Sequence, residues 1–149
     1  MTTTVQELST SPLSPPTAPG RAMRAGLWSA QSLLALVFGF AGATKAFVPL
    51  ARVAQMIPWA ADVPAALLRF IGAMELLASV GLVLPSLLRV RPRLTPLAAL
   101  GLVVLMTLAS GFHALRHEAA GIAINAALGA LAAFVAWGRL RAEPSGSRP

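Results

Sequence analysis

Residues 27–47 read LWSAQSLLALVFGFAGATKAF, a run of 21 residues in which the only ionisable side chain, Lys45, lies near the end. A membrane-spanning helix needs about 20 apolar residues to cross a hydrocarbon core ~30 Å thick. Three further apolar runs follow, at residues 65–84, 94–115 and 119–137. All four are rich in Leu and Ala, and none shows the period of two that is typical of a transmembrane barrel. The sequence therefore predicts four transmembrane helices.

The composition also indicates a membrane protein. Hydrophobic residues make up 56% of the 149 residues and charged residues only 11%, whereas soluble domains average about 25% charged residues. A lipid bilayer is therefore the first expected partner. The net charge of +7 does not indicate a nucleic-acid partner, because no basic patch is interleaved with aromatic residues. The absence of cysteine excludes disulfides, thiolate catalysis and Cys-ligated metals.

Three segments are expected along the chain. Residues 1–26 are predicted to be a disordered tail, because the first 20 are rich in Ser, Thr and Pro. Residues 27–140 form the transmembrane domain, and residues 141–149 form a flexible tail. The second and third connections, at residues 85–93 and 116–118, are short and favour antiparallel neighbours. The expected fold class is all-α, an integral membrane four-helix bundle with up-down-up-down topology.

The distribution of basic residues predicts the orientation. One end of the predicted bundle carries Arg21, Arg24, Arg89, Arg91, Arg93, Arg139, Arg141 and Arg148, whereas the loops at the other end carry only Arg52 and Arg116. The positive-inside rule then places both termini in the cytoplasm of a bacterial-type inner (plasma) membrane. A signal peptide cleaved after the A-x-A sequence at residues 41–43 is an alternative. The apolar run continues past that point, however, and cleavage would leave only three helices.

Five polar side chains interrupt the predicted spans, namely Lys45, Arg69, Glu75, His113 and Asn125. At ~1.5 Å per residue, all five fall in the outer half of the bilayer, and Glu75 lies about 15 Å below the outer boundary. Ionisable groups within a membrane tend to face the bundle interior or a cavity. A carboxylate near the midplane must be protonated, paired or beside water. We therefore predict a polar pocket in the outer half of the bundle.

Helical spacing supports convergence of these side chains. Gly72, Glu75 and Ser79 share one face of the second helix, and Gly42 and Lys45 share one face of the first. Each polar residue nevertheless has a structural alternative. Basic side chains near a span end can snorkel to the headgroups, and polar side chains can bond a carbonyl or join two helices.

Four short segments together resemble the DoxX-like family of small four-helix membrane proteins, over about residues 27–139. They are Gly42-Ala43-Thr44-Lys45 at the end of the first helix, Ile71-Gly72-Ala73-Met74-Glu75 in the second, Ala109 to His113 at the end of the third, and Asn125 to Arg139 in the fourth. The resemblance implies this fold and a membrane location. The family name comes from an association with thiosulfate:quinone oxidoreductase, and some relatives are linked to membrane redox complexes and oxidative stress. Most members have no established activity.

The first functional hypothesis is a redox-associated protein, either quinone-interacting or a subunit of a membrane oxidoreductase complex. Lys45 or His113 would donate to a quinone oxygen, and Glu75 would relay a proton. Electrons would come from a membrane or peripheral oxidoreductase partner or from the quinol, and quinone is the cofactor considered. The remaining candidates, which would bind the ligand, are Arg69, Asn125 and Ser79.

Two alternatives remain open. The protein can be a non-catalytic binding or assembly protein that docks a lipophilic small molecule or another membrane helix. It can also be a lipid-phase enzyme, an isomerase or cyclase, that uses Glu75 and His113 as an acid–base pair. His113 and His117 are four residues apart, but no carboxylate partner is assured, so we expect no metal site.

Overall fold

The computed structural model describes residues 20–88, 91 and 93–142. Helix α1 spans Arg21–Phe47, α2 spans Leu50–Met56, α3 spans Ala65–Leu88, α4 spans Leu94–Leu115 and α5 spans Ala119–Ala142, with a 3₁₀ helix at Pro58–Asp62 between α2 and α3. Within these described ranges, four helices are long and apolar enough to cross a membrane: α1, α3, α4 and, as far as Arg141, α5. The predicted all-α fold with four spans is confirmed.

The four long helices form a closed ring. Helix α1 packs against α3 and α5, and α4 packs against the same two helices. The order around the ring is therefore α1, α3, α4 and α5, and every pair of neighbours in the ring is antiparallel. This is the predicted up-down-up-down bundle.

The bundle is thin, and most of its surface is apolar. Its buried core comprises Ala30, Leu34, Phe38, Leu82, Ala99, Leu102, Met106, Ala132, Val135 and Ala136. Large apolar side chains also point outward, such as Leu36 at 73% and Phe40 at 72% exposure. A helix that is hydrophobic all round needs an apolar solvent, so these outward side chains face lipid.

Three helices extend beyond their apolar runs. Helix α1 begins at Arg21 and so includes residues 21–26, α3 continues through Pro85 to Leu88, and α5 continues to Ala142. A helix of 27 residues is about 40 Å long, so α1 reaches beyond the hydrocarbon core into the headgroup region. Basic side chains at such helix ends can extend toward the headgroups. The remaining residues of the two predicted tails, 1–19 and 143–149, lie outside the described residues.

The long connection at residues 48–64 is folded rather than irregular. It contains α2 and the 3₁₀ helix, whose Val53 and Ala60 are fully buried against Leu68 of α3. Trp59 packs at the edge of this small cluster. The end of the bundle that carries Arg21, Arg24, Arg139 and Arg141 is called the arginine-rich end. The connection covers the opposite end of the bundle, and the predicted polar site lies in that half.

Candidate functional site

Helices α1 and α3 approach each other closely at two glycines. A Cβ atom on Gly42 would lie 2.8 Å from the carbonyl oxygen of Gly72, and a Cβ atom on Gly72 would lie 2.8 Å from the backbone nitrogen of Ala46. No side chain fits between backbones at this separation. The two small residues therefore set the contact, as small residues do at helix interfaces in membranes.

This contact brings Lys45 and Glu75 together. The Lys45 ammonium donates to both carboxylate oxygens of Glu75, at 2.9 Å to Oε1 and 2.8 Å to Oε2. The two side chains are only 7% and 6% exposed. In addition, Arg69 Nη1 donates to the carbonyl oxygen of Lys45 at 2.6 Å. Three of the predicted site residues thus converge at the α1–α3 interface.

The predicted ligand-binding residue Ser79 lies on the same interface. Its hydroxyl donates to the carbonyl oxygen of Ala35 on α1 at 2.7 Å. Gly39 leaves room for this bond, because a Cβ atom there would lie 3.0 Å from Ser79 Oγ. The whole stripe of Gly72, Glu75 and Ser79 on α3 therefore faces α1.

His113 lies in a separate cluster at the end of α4. Its Nδ1 is 2.6 Å from Oε2 of Glu118, and its side chain is 13% exposed. The imidazole packs edge-on against the rings of Trp59 and Phe112, with centroids 6.3 and 5.7 Å away. Gly121 on α5 lies against the same imidazole, and a Cβ atom there would overlap it.

Arg116 ties this cluster to the connection that covers the bundle end. Its Nε donates to Glu118 Oε1 at 2.8 Å, and its Nη1 lies 2.8 Å from Asp62 of the 3₁₀ helix. Hydrogen bonds from Arg116 and His113 lower the pKa of Glu118 below its ordinary value. The pKa of Arg116 is raised, first by its hydrogen bond to Glu118. The side chains of Arg116 and Glu118 are therefore both ionised at neutral pH.

The structure does not join the two clusters. Across the described ranges, no hydrogen bond or ion pair links His113 to Lys45, Glu75 or Arg69, and the partner of His113 Nδ1 is Glu118. Asn125 is half-buried on α5 and makes no side-chain hydrogen bond to any described residue. The described His, Asp and Glu side chains include no group of three or more that could hold a metal ion.

Two apolar grooves lie along the outside of the bundle. The larger, called the α3–α4 groove, has a volume of about 560 Å³ and is lined by Phe70, Met74, Leu77, Ala78, Gly81, Leu94, Leu97, Ala98, Gly101, Leu102, Val104, Leu105 and Leu108. The second, of about 470 Å³, lies between α1 and α3 and includes Ser32 and Ser79. Neither groove is lined by Lys45, Glu75 or His113. The polar pocket therefore stays a prediction.

A buried polar network at the arginine-rich end was not anticipated from the sequence. Gln31 on α1 is 0% exposed, donates to the carbonyl oxygen of Leu82 on α3, and accepts from Arg139 on α5. The buried hydroxyl of Thr95 on α4 lies 2.9 Å from that of Ser86 on α3. Polar side chains at this end thus link α1 with α3 and α5, and α3 with α4. In the sequence, the feature that could have indicated this network is Gln31 itself, an amide side chain within the first apolar run.

Comparison with known proteins identifies the chain at the level of a family. The model of the DoxX-like family matches residues 29–135. The matched region begins in α1 and ends in α5, so it includes parts of all four membrane-spanning helices and the whole connection at residues 48–64. No curated protein and no solved structure matches the chain. The resemblance found in the sequence motifs is thereby confirmed.

Proposed function

The chain belongs to the DoxX-like family, and we propose that this small integral membrane protein binds a quinone and works beside a membrane oxidoreductase. The α3–α4 groove, with its volume of about 560 Å³, is the observation that carries the proposal. A membrane quinone has a long isoprenoid tail and a polar aromatic headgroup. The groove is apolar along its full length, from Leu94 at the arginine-rich end to Phe70 and Leu108 nearer the opposite end, and suits the tail.

The aromatic cluster around His113 suits the headgroup. Phe112 follows Leu108 by four residues and continues the same face of α4, so the cluster lies about 6 Å beyond that end of the groove. Trp59 and Phe112 meet edge-on, with ring centroids 5.7 Å apart. A quinone ring can pack against such rings, and the α3–α4 groove would then direct its tail along the bundle.

His113 is the group proposed to contact a quinone oxygen. Glu118 engages Nδ1, so Nε2 is left to exchange a hydrogen bond with the ligand. Reduction of a quinone takes two electrons and two protons. His113 would supply one proton to a quinone oxygen from Nε2, water would supply the second proton, and both electrons would come from the partner oxidoreductase. Lys45, Glu75 and Arg69 are assigned the role of holding α1 against α3.

Filling the groove should remove the bound quinone. Gly101 lines the groove and has nothing within 4 Å of a Cβ position, so Gly101→Leu adds a side chain there without disturbing the core. We expect at least a tenfold loss of quinone that co-purifies with the protein in mild detergent, measured by extraction and chromatography. Gly26→Leu is the matched control, since Gly26 also has open space around it and lies outside the groove.

The headgroup contact is tested by His113→Gln with a short-chain quinone that lacks most of the tail. The substitution should weaken binding of this probe by about tenfold, the effect of losing one charge-assisted hydrogen bond. Wild-type protein that carries no quinone and binds no short-chain analogue would overturn the proposal. Equal quinone content in Gly101→Leu and Gly26→Leu would exclude the α3–α4 groove as the site.

A non-catalytic binding or assembly protein is the second candidate function. It is favoured by the Lys45–Glu75 pair, in which each buried charge is satisfied by the other. The third hypothesis, a lipid-phase enzyme, needs Glu75 and His113 as one acid–base pair, whereas they bond Lys45 and Glu118 respectively. Absence of quinone binding in the experiments above would favour the assembly role.

We also propose that both termini lie in the cytoplasm of a bacterial-type inner membrane. The arginine-rich end would then face inward, as the positive-inside rule requires. Because the chain has no cysteine, a single introduced cysteine reports the side of the membrane on which its position lies. A membrane-impermeant maleimide should label Arg52→Cys in intact cells and should label Arg91→Cys only after permeabilisation. Labelling of Arg91→Cys in intact cells would reverse the proposed orientation.

A further inference from the structure

Arg139 is held in a fixed position at the arginine-rich end of the bundle. Its Nε and Nη2 both donate to the amide oxygen of Gln31, at 2.9 and 2.6 Å. Gln31 is in turn fixed because it is fully buried and its amide nitrogen donates to the carbonyl oxygen of Leu82. The orientation of the guanidinium is therefore set by a neutral, buried partner.

Close packing of α1 and α5 places an indole next to this guanidinium. Leu27 fits against Gly138, where any Cβ atom would overlap the leucine side chain. The neighbouring residues then meet, with the Arg139 guanidinium over the ring of Trp28 at 4.9 Å from its centroid. Trp28 is 37% exposed, as expected for an indole at the membrane–water interface.

The charge on Arg139 is not neutralised by the described part of the chain. The described carboxylates belong to Asp62, Glu75 and Glu118, and all three engage cationic partners away from the arginine-rich end. Gln31 supplies a dipole but no charge, and Nη1 of Arg139 has no bond to a described residue. A half-buried guanidinium of this kind calls for an anion.

A second guanidinium lies on the face of α1 that carries Trp28. Arg24 precedes Trp28 by four residues on α1, so the two share a helix face. Arg24 is exposed, and its side chain has no bonded partner among the described residues. A long side chain on a helix extends toward the N-terminus, which here is the direction of the headgroups.

We propose that Arg139 and Arg24 bind the phosphate of an anionic phospholipid, in the leaflet at the arginine-rich end. Gln31 leaves Nη1 of Arg139 free to donate to a phosphate oxygen. Arg24 adds a second positive charge from the headgroup side. Basic sites between transmembrane helices are suited to anionic headgroups. The site is independent of the α3–α4 groove and of the quinone proposal.

Lipid titration of the purified full-length protein, followed by native mass spectrometry, tests the site. Wild-type protein should retain one phosphatidylglycerol in preference to phosphatidylcholine. Arg24→Gln should weaken this retention about fivefold, the typical effect of one basic side chain near anionic lipid. Arg139→Lys should weaken it at least as much, because the guanidinium fork is lost. Arg141→Gln is the matched control, since Arg141 lies over Trp137 and does not contact Gln31.

Four outcomes would overturn the proposal. Equal loss in Arg24→Gln and Arg141→Gln would indicate only a diffuse positive surface, and equal retention of phosphatidylcholine would exclude anion recognition. Displacement of the lipid by millimolar glycerol phosphate would identify a soluble phosphate as the ligand. Glu143 follows Arg139 by four residues and lies outside the described residues. A fivefold gain of lipid in Glu143→Gln would show that this carboxylate, and not a lipid phosphate, is the anion that Arg139 binds in the wild-type protein. Arg24→Gln changes an exposed residue, so its result stands even if Arg139→Lys folds poorly.

Discussion

Glu75→Gln should destabilise the bundle by about 3 kcal/mol, because it leaves the ammonium of Lys45 buried without its counter-ion. Both bonds from Lys45 end on this carboxylate, and the pair is almost completely shielded from solvent. An amide can accept only one of the two bonds and brings no negative charge. The loss is measurable from the free energy of unfolding in mixed detergent and SDS micelles.

Replacing both partners provides the decisive comparison. The double variant Lys45→Met/Glu75→Leu removes both charges and keeps similar volumes, so it should recover most of the lost stability. Arg69→Gln, which removes only a bond to the Lys45 carbonyl, should cost about 1 kcal/mol. If the double variant is no more stable than Glu75→Gln, the two charges do not stabilise each other and the assigned structural role is wrong.

The bundle was predictable because its apolar runs are long and its connections are short. The ends of the helices were not predictable from the sequence, because α3 and α5 continue where the sequence turns polar. Pro85 looked like the start of a connection, yet it lies buried inside α3. A proline inside a helix removes the hydrogen bond to the carbonyl four residues back, here that of Gly81, and the buried Pro85 is tolerated in α3 nonetheless.

Convergence of Lys45 with Glu75 was predictable from helical spacing, whereas the partner of His113 was not. Glycines and charges at three- and four-residue intervals indicated one face on each helix, and those faces meet at the α1–α3 contact. Glu118 reaches His113 by a return of the chain at the end of α4, which depends on the local backbone path. The bond from Arg139 to Gln31 joins residues 108 positions apart, and no periodicity indicates such a pair.

Gly72→Ala should destabilise the protein by about 2 kcal/mol, although alanine is the better helix former. Its Cβ atom would lie 2.8 Å from the backbone nitrogen of Ala46 and 2.9 Å from the carbonyl oxygen of Gly42. Backbone atoms cannot rotate away as a side chain can, so α1 and α3 must move apart. The ammonium of Lys45 and the carboxylate of Glu75 are carried by these two helices and would separate with them.

The matched control for this substitution is Gly111→Ala. Gly111 lies in α4 with nothing within 4 Å of a Cβ position, so the control should be neutral or stabilising, by up to about 1 kcal/mol. The role of the ion pair is tested by repeating Gly72→Ala in the Lys45→Met/Glu75→Leu background. Part of the cost should disappear there, because no ion pair remains to be broken. An equal cost in both backgrounds would mean that the glycine contact serves helix packing alone and does not position Lys45 against Glu75.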